Sequence, residues 1–249
     1  MYENYKSPMI FGHRGACAHA PENTLASFEM AFNHSADAVE LDVKLSKDSH
    51  VVVFHDQTVD RTTEGKGKVN DLTLAELKSL DAGSFFNEKF KGERIPTLDE
   101  VFEHVGKKLF VNVELTNYAS PKDELIEEVA NIVLRHQMEN RVLFSSFLPK
   151  NLAKMKVLLP NTPRALLCLP GFIGILSRSA IYLKVSPEAI HPHLKDTTLS
   201  LVVREHSRGR RVHVWTVNEE ADLKRIFGLK IDGVITDDPQ KARKILGQK

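Results

Sequence analysis

Short apolar runs alternate with helix-period stripes from one end of the chain to the other, as strands and helices do when they build a parallel sheet. The first run is MIFG at 9–12, and AVELDVKL follows at 38–45. LFVNVEL (109–115), RVLFS (141–145), TPRALLC (162–168), YLKV (182–185), RVHVW (211–215) and DGVIT (232–236) complete eight expected strands. Between the first two, Leu25, Phe28 and Phe32 fall three and four residues apart, and either Asn23 or Thr24 is placed to cap the helix they mark. Leu98, Val101, Phe102 and Val105 make a second stripe; Leu125, Ile126, Val129 and Val133 make a third. Leu223, Ile226 and Phe227, then Ala242, Ile245 and Leu246, mark the last two. A helical segment is assignable after each strand, and no linker, repeat or low-complexity tract interrupts the series. One domain over residues 1–249 is expected, a closed (β/α)8 TIM barrel in the α/β class.

Residues 51–95 break the alternation. VVVFHD reads as another short strand, QTVDRTTEGKGKVND as a polar stretch, and LTLAELKSLDAG as a helix that Thr73 and Glu76 would open as a capping box. This predicts a small insertion after strand two, at 56–94, standing over the C-terminal face where barrel enzymes bind substrate. On its own the stretch reads better as an inert surface excursion.

Composition narrows the function. The 249 residues are 42% hydrophobic and 27% charged, which excludes a disordered chain. Lys and Arg number 34 against 33 Asp and Glu, so a net charge of +1 offers no long track for nucleic acid. Cys17 and Cys168 are too few for a disulfide framework, and free thiols are expected. The opening residues MYENYKSPMIFGHRG lack the apolar core of a signal peptide. The longest apolar region, LLCLPGFIGIL at 166–176, is broken by Pro170, Gly171 and Gly174 and is too short to cross a membrane. A cytoplasmic enzyme without a transmembrane segment is therefore expected. Should Phe172, Ile173 and Ile175 be exposed, the loop at 171–176 becomes a candidate for contact with an acyl chain or a lipid surface.

The acidic strands carry the candidate chemistry. In AVELDVKL, Val39, Leu41, Val43 and Leu45 share one face, while Glu40, Asp42 and Lys44 share the other. Alone, this reads as a solvent-washed amphipathic strand. LFVNVEL repeats it: Leu109, Val111, Val113 and Leu115 face one way, and Phe110, Asn112 and Glu114 the other. A barrel strand has helices outside and packed side chains inside, so carboxylates are tolerable only at its C-terminal mouth. There Glu40, Asp42 and Glu114 suit Ca²⁺ or Mg²⁺, with Mn²⁺ also accommodated. Zinc is less natural, because neither cysteine has metal-ligand spacing. His13 and Arg14 follow the first strand in GHRG, and His55 ends VVVFHD beside Asp56. Any one of these histidines reads as structural; two with an arginine beside an acidic cluster supply proton exchange and phosphate contact.

The motifs GHRG (12–15), PENT (21–24), ELD (40–42), HD (55–56), VNVEL (111–115), SSF (145–147), HVWTVN (213–218) and DGVITDDP (232–239) span nearly the whole chain. In this order and spacing they resemble the glycerophosphodiester phosphodiesterase family. The resemblance implies a barrel with an insertion after strand two, and hydrolysis of glycerophosphodiesters to sn-glycerol 3-phosphate and an alcohol. It implies that Glu40, Asp42 and Glu114 are metal ligands, that His13 and His55 are the acid–base pair, and that Arg14 holds phosphate. Trp215 is implied as a wall of the substrate cleft; its physical alternative is a core tryptophan. One departure stands out: relatives commonly carry Lys two residues after the third-strand Glu, where this chain has Thr116. Lys184, His191 or His193 are candidates to replace its charge.

A glycerol headgroup lets its own 2-hydroxyl attack phosphorus, giving a cyclic phosphate that water then opens, with direct attack by water as the other route. A lysophospholipase D acting on lysophospholipids and a noncatalytic phosphate-binding module are the competing readings.

Overall fold

Both faces of every strand are covered, and this decides where polar side chains are allowed. The computed structural model describes residues 8–186 and 188–247; the N-terminal seven residues, where no signal peptide is expected, lie outside the described residues. The strands are β1 (Met9–Gly12), β2 (Ala38–Leu45), β3 (Val51–Val53), β4 (Phe110–Leu115), β5 (Val142–Ser146), β6 (Arg164–Cys168), β7 (Ala189–Pro192), β8 (Arg211–Val214) and β9 (Gly233–Thr236). All but β3 pair in parallel in the order β1-β9-β8-β7-β6-β5-β4-β2, and a β1–β2 pairing closes the ring. This is the expected eight-stranded barrel.

The helices are α1 (Leu25–Asn33), α2 (Leu74–Ser79), α3 (Leu98–Val105), α4 (Leu125–Arg135), α5 (Pro149–Leu158), α6 (Leu199–Ser207), α7 (Glu220–Gly228) and α8 (Pro239–Leu246). The stripes of α3, α4 and α7 are buried as their spacing predicts. α1 is rotated from expectation: it buries Ser27, Phe28 and Ala31, and Phe32 stays 41% exposed. Lys108 Nζ lies 5.3 Å from the Phe32 ring centroid, a cation–π contact that gives the exposed ring a partner.

Val39, Leu41, Val43 and Leu45 join Val111, Val113 and Leu115 in the core beneath the helices. The interior is filled by Met9, Phe11, Ala38, Phe110, Leu143, Ala165, Ala189 and Ile235. Glu40, Asp42, Asn112 and Glu114 therefore share the inward face with this plug, nearer the C-terminal ends of their strands.

Two expectations need correction. YLKV at 182–185 is no strand; a 3-10 turn covers Ala180–Tyr182, and the barrel strand is AIHP at Ala189–Pro192. Lys184 is exposed, whereas all four residues of AIHP are buried and in register with β6 through Ala165↔Ala189. Pro192 is tolerated as the strand's last residue, where its missing N–H costs little. Nor, among the described residues, does an α-helix follow β6: Pro170 and Gly171 open a region whose described helical turns are both 3-10.

After β2, β3 turns back antiparallel against it through Val43↔Val53 and Leu45↔Val51. The insertion that follows has a small core of Val52, Phe54, Val59, Val69, Leu77, Ala82 and Ile95. Thr73 and Glu76 form the expected capping box at α2.

Candidate active site

The register of β2 against β4 sets Glu40 beside Asn112 and Asp42 beside Glu114. Ligand oxygens of Glu40, Asp42 and Glu114 lie within 4.8 Å of one another, and Glu40 and Asp42 are buried. Burial, then the charges of Asp42 and Glu114, push the Glu40 carboxyl well above its ordinary value. Burial and Asp42 push Glu114 up to about 8, although Tyr118 Oη donates a 2.7 Å hydrogen bond to it. Such a cluster holds protons unless a cation replaces them.

The loop after β1 is folded tightly enough to aim two side chains into this cluster. A Cβ on Gly15 (φ +87°) would come within 2.3 Å of Ser27 Oγ. Arg14 sits at φ +50°, a strained value for a non-glycine residue, and its N–H donates to Glu40 Oε2 at 3.0 Å. Its side chain donates to Glu22 Oε1 at 2.7 Å and lies 3.5 Å from Asp42 Oδ2. Burial would lower the Arg14 pKa, but Asp42, Glu22 and Glu40 together raise it. In PENT, Thr24 caps α1 by accepting from Ser27 N. Asn23, the other capping candidate, takes φ +59° and donates to Asp42 Oδ2 at 3.0 Å instead.

His13 bridges the two ends of the chain. Its Nδ1 is 2.6 Å from Asp237 Oδ1, and its Nε2 is 4.0 Å from Glu40 Oε2. Asn218 Nδ2 donates to the other Asp237 oxygen at 2.6 Å, and Asn218 Oδ1 accepts from the Asp237 N–H at 2.9 Å. Burial opposes the charge on Asp237, but hydrogen bonds from His13, Cys17 and Asn218 outweigh it and lower the pKa. An ionised Asp237 accepts a hydrogen bond from the His13 Nδ1–H and leaves Nε2 facing the acids.

His55 is held likewise, its Nδ1 2.6 Å from Asp56 Oδ1. Arg61 donates to Asp56 at 2.6 Å and to Glu22 at 2.7 Å, continuing through Glu22 to Arg14. The Arg61 hydrogen bond, with His55 assisting, holds Asp56 down to about 2. This chain of ion pairs ties the insertion to the loop after β1.

The three acids, His13, Arg14 and His55 line a cleft of about 430 Å³, open mouth included, together with Asn112, Phe147, Leu167, Trp215 and Ile235. Trp215 is both wall and partial core: its Nε1 donates to His191 O at 2.8 Å. Phe147 and His193 meet its ring edge-on, with centroids 5.6 and 5.1 Å away.

Every site residue expected from the sequence thus reaches the cleft, but the suggested replacements for the usual Lys at position 116 do not serve. His191 is buried against His213, which lies 3.0 Å away, and burial pushes its pKa down to about 3. His193 packs on Trp215, and burial lowers its pKa as well. Lys184 is exposed between β6 and β7. Lys44 is the amine at Thr116, donating to its Oγ1 at 2.9 Å and its carbonyl at 3.1 Å. Burial lowers the Lys44 pKa, opposed by the charges of Asp42 and Glu114.

Folding also brings Cys17 within 4.8 Å of His13 and Asp237, a proximity that spacing does not reveal. Burial and Asp237 raise the thiol's pKa, so it keeps its proton and makes a poor soft ligand. Asp237, Asn218, Glu22, Arg61 and Tyr118 had no assigned role beforehand. TDDP, WTVN and PENT were the signals for all but Arg61 and Tyr118.

The chain matches the Glycerophosphoryl diester phosphodiesterase family over residues 13–241. A glycerophosphodiester phosphodiesterase of Caldanaerobacter subterraneus subsp. tengcongensis is 40% identical over 233 residues, 93% of this chain and 95% of that protein. One from Bacillus altitudinis is 37% identical over 95% of this chain and 97% of its own. Among solved structures, an Oleispira antarctica phosphodiesterase in complex with the product sn-glycerol-3-phosphate has a TM-score of 0.88 at 32% identity, covering 96% of this chain and 97% of that one. With the barrel, its acidic mouth and these relatives in agreement, the chain belongs to the glycerophosphoryl diester phosphodiesterase family and is a phosphodiester hydrolase of that kind.

Proposed function

We propose that the protein hydrolyses glycerophosphodiesters such as glycerophosphocholine or glycerophosphoethanolamine to sn-glycerol 3-phosphate and an alcohol, in the cytoplasm, with one divalent ion. The observation that carries this is the convergence of three inward carboxylates with an imidazole whose far nitrogen is already anchored to Asp237. Glu40, Asp42 and Glu114 fit a hard cation: all their donors are oxygen, and burial penalises their charge unless a positive ion shares it. Ca²⁺ or Mg²⁺ is the natural occupant, with Mn²⁺ accepted. Bound there, the ion supplies positive charge opposite the phosphoryl oxygens and the glycerol hydroxyl.

The side chains do the rest. Arg14 holds a phosphoryl oxygen, and Trp215 walls the cleft against the leaving alcohol. One of His13 and His55 takes the proton from the glycerol 2-hydroxyl as its oxygen attacks phosphorus. The other gives a proton to the departing alkoxide, and a cyclic phosphate remains. In the second step water enters, the roles reverse, and the ring opens to the monoester. Residues 56–94 stand over the C-terminal face in this reading and bring His55 to the glycerol side.

The test is a metal-stripped enzyme offered glycerophosphocholine, glycerophosphoethanolamine and a lysophospholipid, with Ca²⁺, Mg²⁺ and Mn²⁺ restored one at a time. Turnover should return with a divalent ion and fall by about 10²–10⁴ in His13→Ala. Undiminished turnover under chelator, or by His13→Ala, defeats the proposal.

A lysophospholipase D remains the second reading, favoured by the exposed apolar loop after β6. Faster turnover of the acylated substrate decides for it. The noncatalytic module loses its motive, because the chain belongs to a family of phosphodiester hydrolases.

A further inference from the structure

The loop from β6 to β7 displays more apolar surface than a free surface loop needs. Phe172 is 88% exposed, Ile173 77%, Leu176 64% and Ile181 67%. Isolated exposed aliphatics are ordinary, but a run of them on one protrusion marks an interaction surface. The protrusion is also built to hold its shape. Arg178 donates to the carbonyls of Leu169 and Gly171 at 2.8 and 2.5 Å, and to Asp196 Oδ2 at 3.0 Å. The same carboxylate oxygen accepts from Gly171 N at 2.8 Å. Arg178 and Asp196 thus clamp both feet of the turn while the apolar tips face outward.

The clamp fixes where the protrusion stands. Asp196 closes the turn Leu194–Asp196 that begins at His193, and His193 packs on Trp215 at the cleft wall. Leu167, just before the loop, lines the cleft itself. The apolar tips therefore rise from the rim of the catalytic mouth.

We propose that this loop seats the enzyme on an anionic lipid surface with its cleft facing the bilayer. Charge selects that occupant. From Arg164 to Ser186 the chain has no acidic residue, and the nearby Asp196 is neutralised by Arg178. Lys184 and Lys195 are exposed on either side. Cations flanking aliphatic and aromatic tips suit anionic headgroups over acyl chains, and a convex tip needs a soft surface rather than a matching pocket. Docking is independent of the catalytic reading. Only its consequence rests on that reading, namely that a lysophospholipid presented in the bilayer reaches the cleft without first leaving it.

Co-sedimentation of the full chain with vesicles of phosphatidylcholine, with and without phosphatidylglycerol, tests the docking. Wild type should bind the mixed vesicles, and Phe172→Ser/Ile173→Ser should lose about tenfold or more of its partition. Lys184→Glu should weaken binding to mixed vesicles and leave the weaker binding to phosphatidylcholine unchanged. Turnover of water-soluble glycerophosphocholine, unaltered in both variants, shows that they are folded. Equal partition of wild type and the double variant, or none by wild type, overturns the proposal. So does a wild-type dimer in light scattering that the double variant splits, since a second copy would then cover the tips. Loss of all turnover in His13→Ala with vesicle binding retained separates failure of the chemistry from failure of the docking.

Discussion

His13 shows how far a single side chain depends on distant residues. It follows β1, but the carboxylate that orients it, Asp237, follows β9 and is itself gripped by Asn218. Asp237→Asn keeps the size and removes the charge, so turnover should fall about 10–100-fold and the pH–rate profile should shift, with less change in KM. A purely structural role would lower thermal stability and leave the profile in place. The carboxylates make a second prediction. Glu40 and Glu114 are raised above the unfolded value, so protonating them stabilises the metal-free fold. That contribution is complete below the ordinary 4.5; Glu114's share is lost as pH climbs through about 8, and Glu40's is likewise lost above the ordinary value. A chelator-treated sample should show a falling Tm across this window, and Ca²⁺ should abolish the fall. Ion binding should also release protons near neutrality, measurable by calorimetry in buffers of different ionisation heat. Strand periodicity made the shared face of Glu40, Asp42 and Glu114 legible, while their expected role and that of His13 and His55 came from the motifs that carry the family resemblance. The contacts of Asp237 and Lys44 were not legible, because no local pattern reveals a pairing between neighbouring strands that lie far apart in sequence.

Among elements, the turn after β1 is the most demanding. Gly15→Ala would place a Cβ against Ser27 at a positive φ, costing about 1–3 kcal/mol. Urea unfolding should register that loss, and the Ca²⁺ titration should weaken with it, because the turn presents the Arg14 N–H to Glu40. Lys44→Met probes the neighbouring column of β2 and β4. Removing the amine should lower kcat/KM by about tenfold, and Lys44→Arg should recover part of it. Stripes such as that of α4 were readable because five or more apolar residues fall on one face. β7 was not readable: AIHP is four residues long, ends in proline and buries a histidine, so its strand character comes from neighbours on both sides. YLKV has the better strand pattern, yet nothing pairs with it. Local preference lost to register.

At the scale of the whole molecule, the eight-fold alternation carried the fold. The ion is expected to act on the molecule globally as well as locally. At a hundred times its Kd, an ion bound only by the folded state adds about 2.7 kcal/mol, a rise of about 5–10 °C in Tm for a chain of this size. Differential scanning calorimetry across Ca²⁺ concentrations should show the midpoint climbing without a plateau, and Glu114→Gln should flatten that climb.

The pairing of β1 with β9 has a temporal consequence. Synthesis from the N-terminal side delivers all three acids and both imidazoles by residue 114 of these 249. Asp237 is made long after Glu114, so His13 lacks its brace until β9 has joined β1. A chain cut short of β9 would lack both the strand that closes the ring and the carboxylate that orients His13.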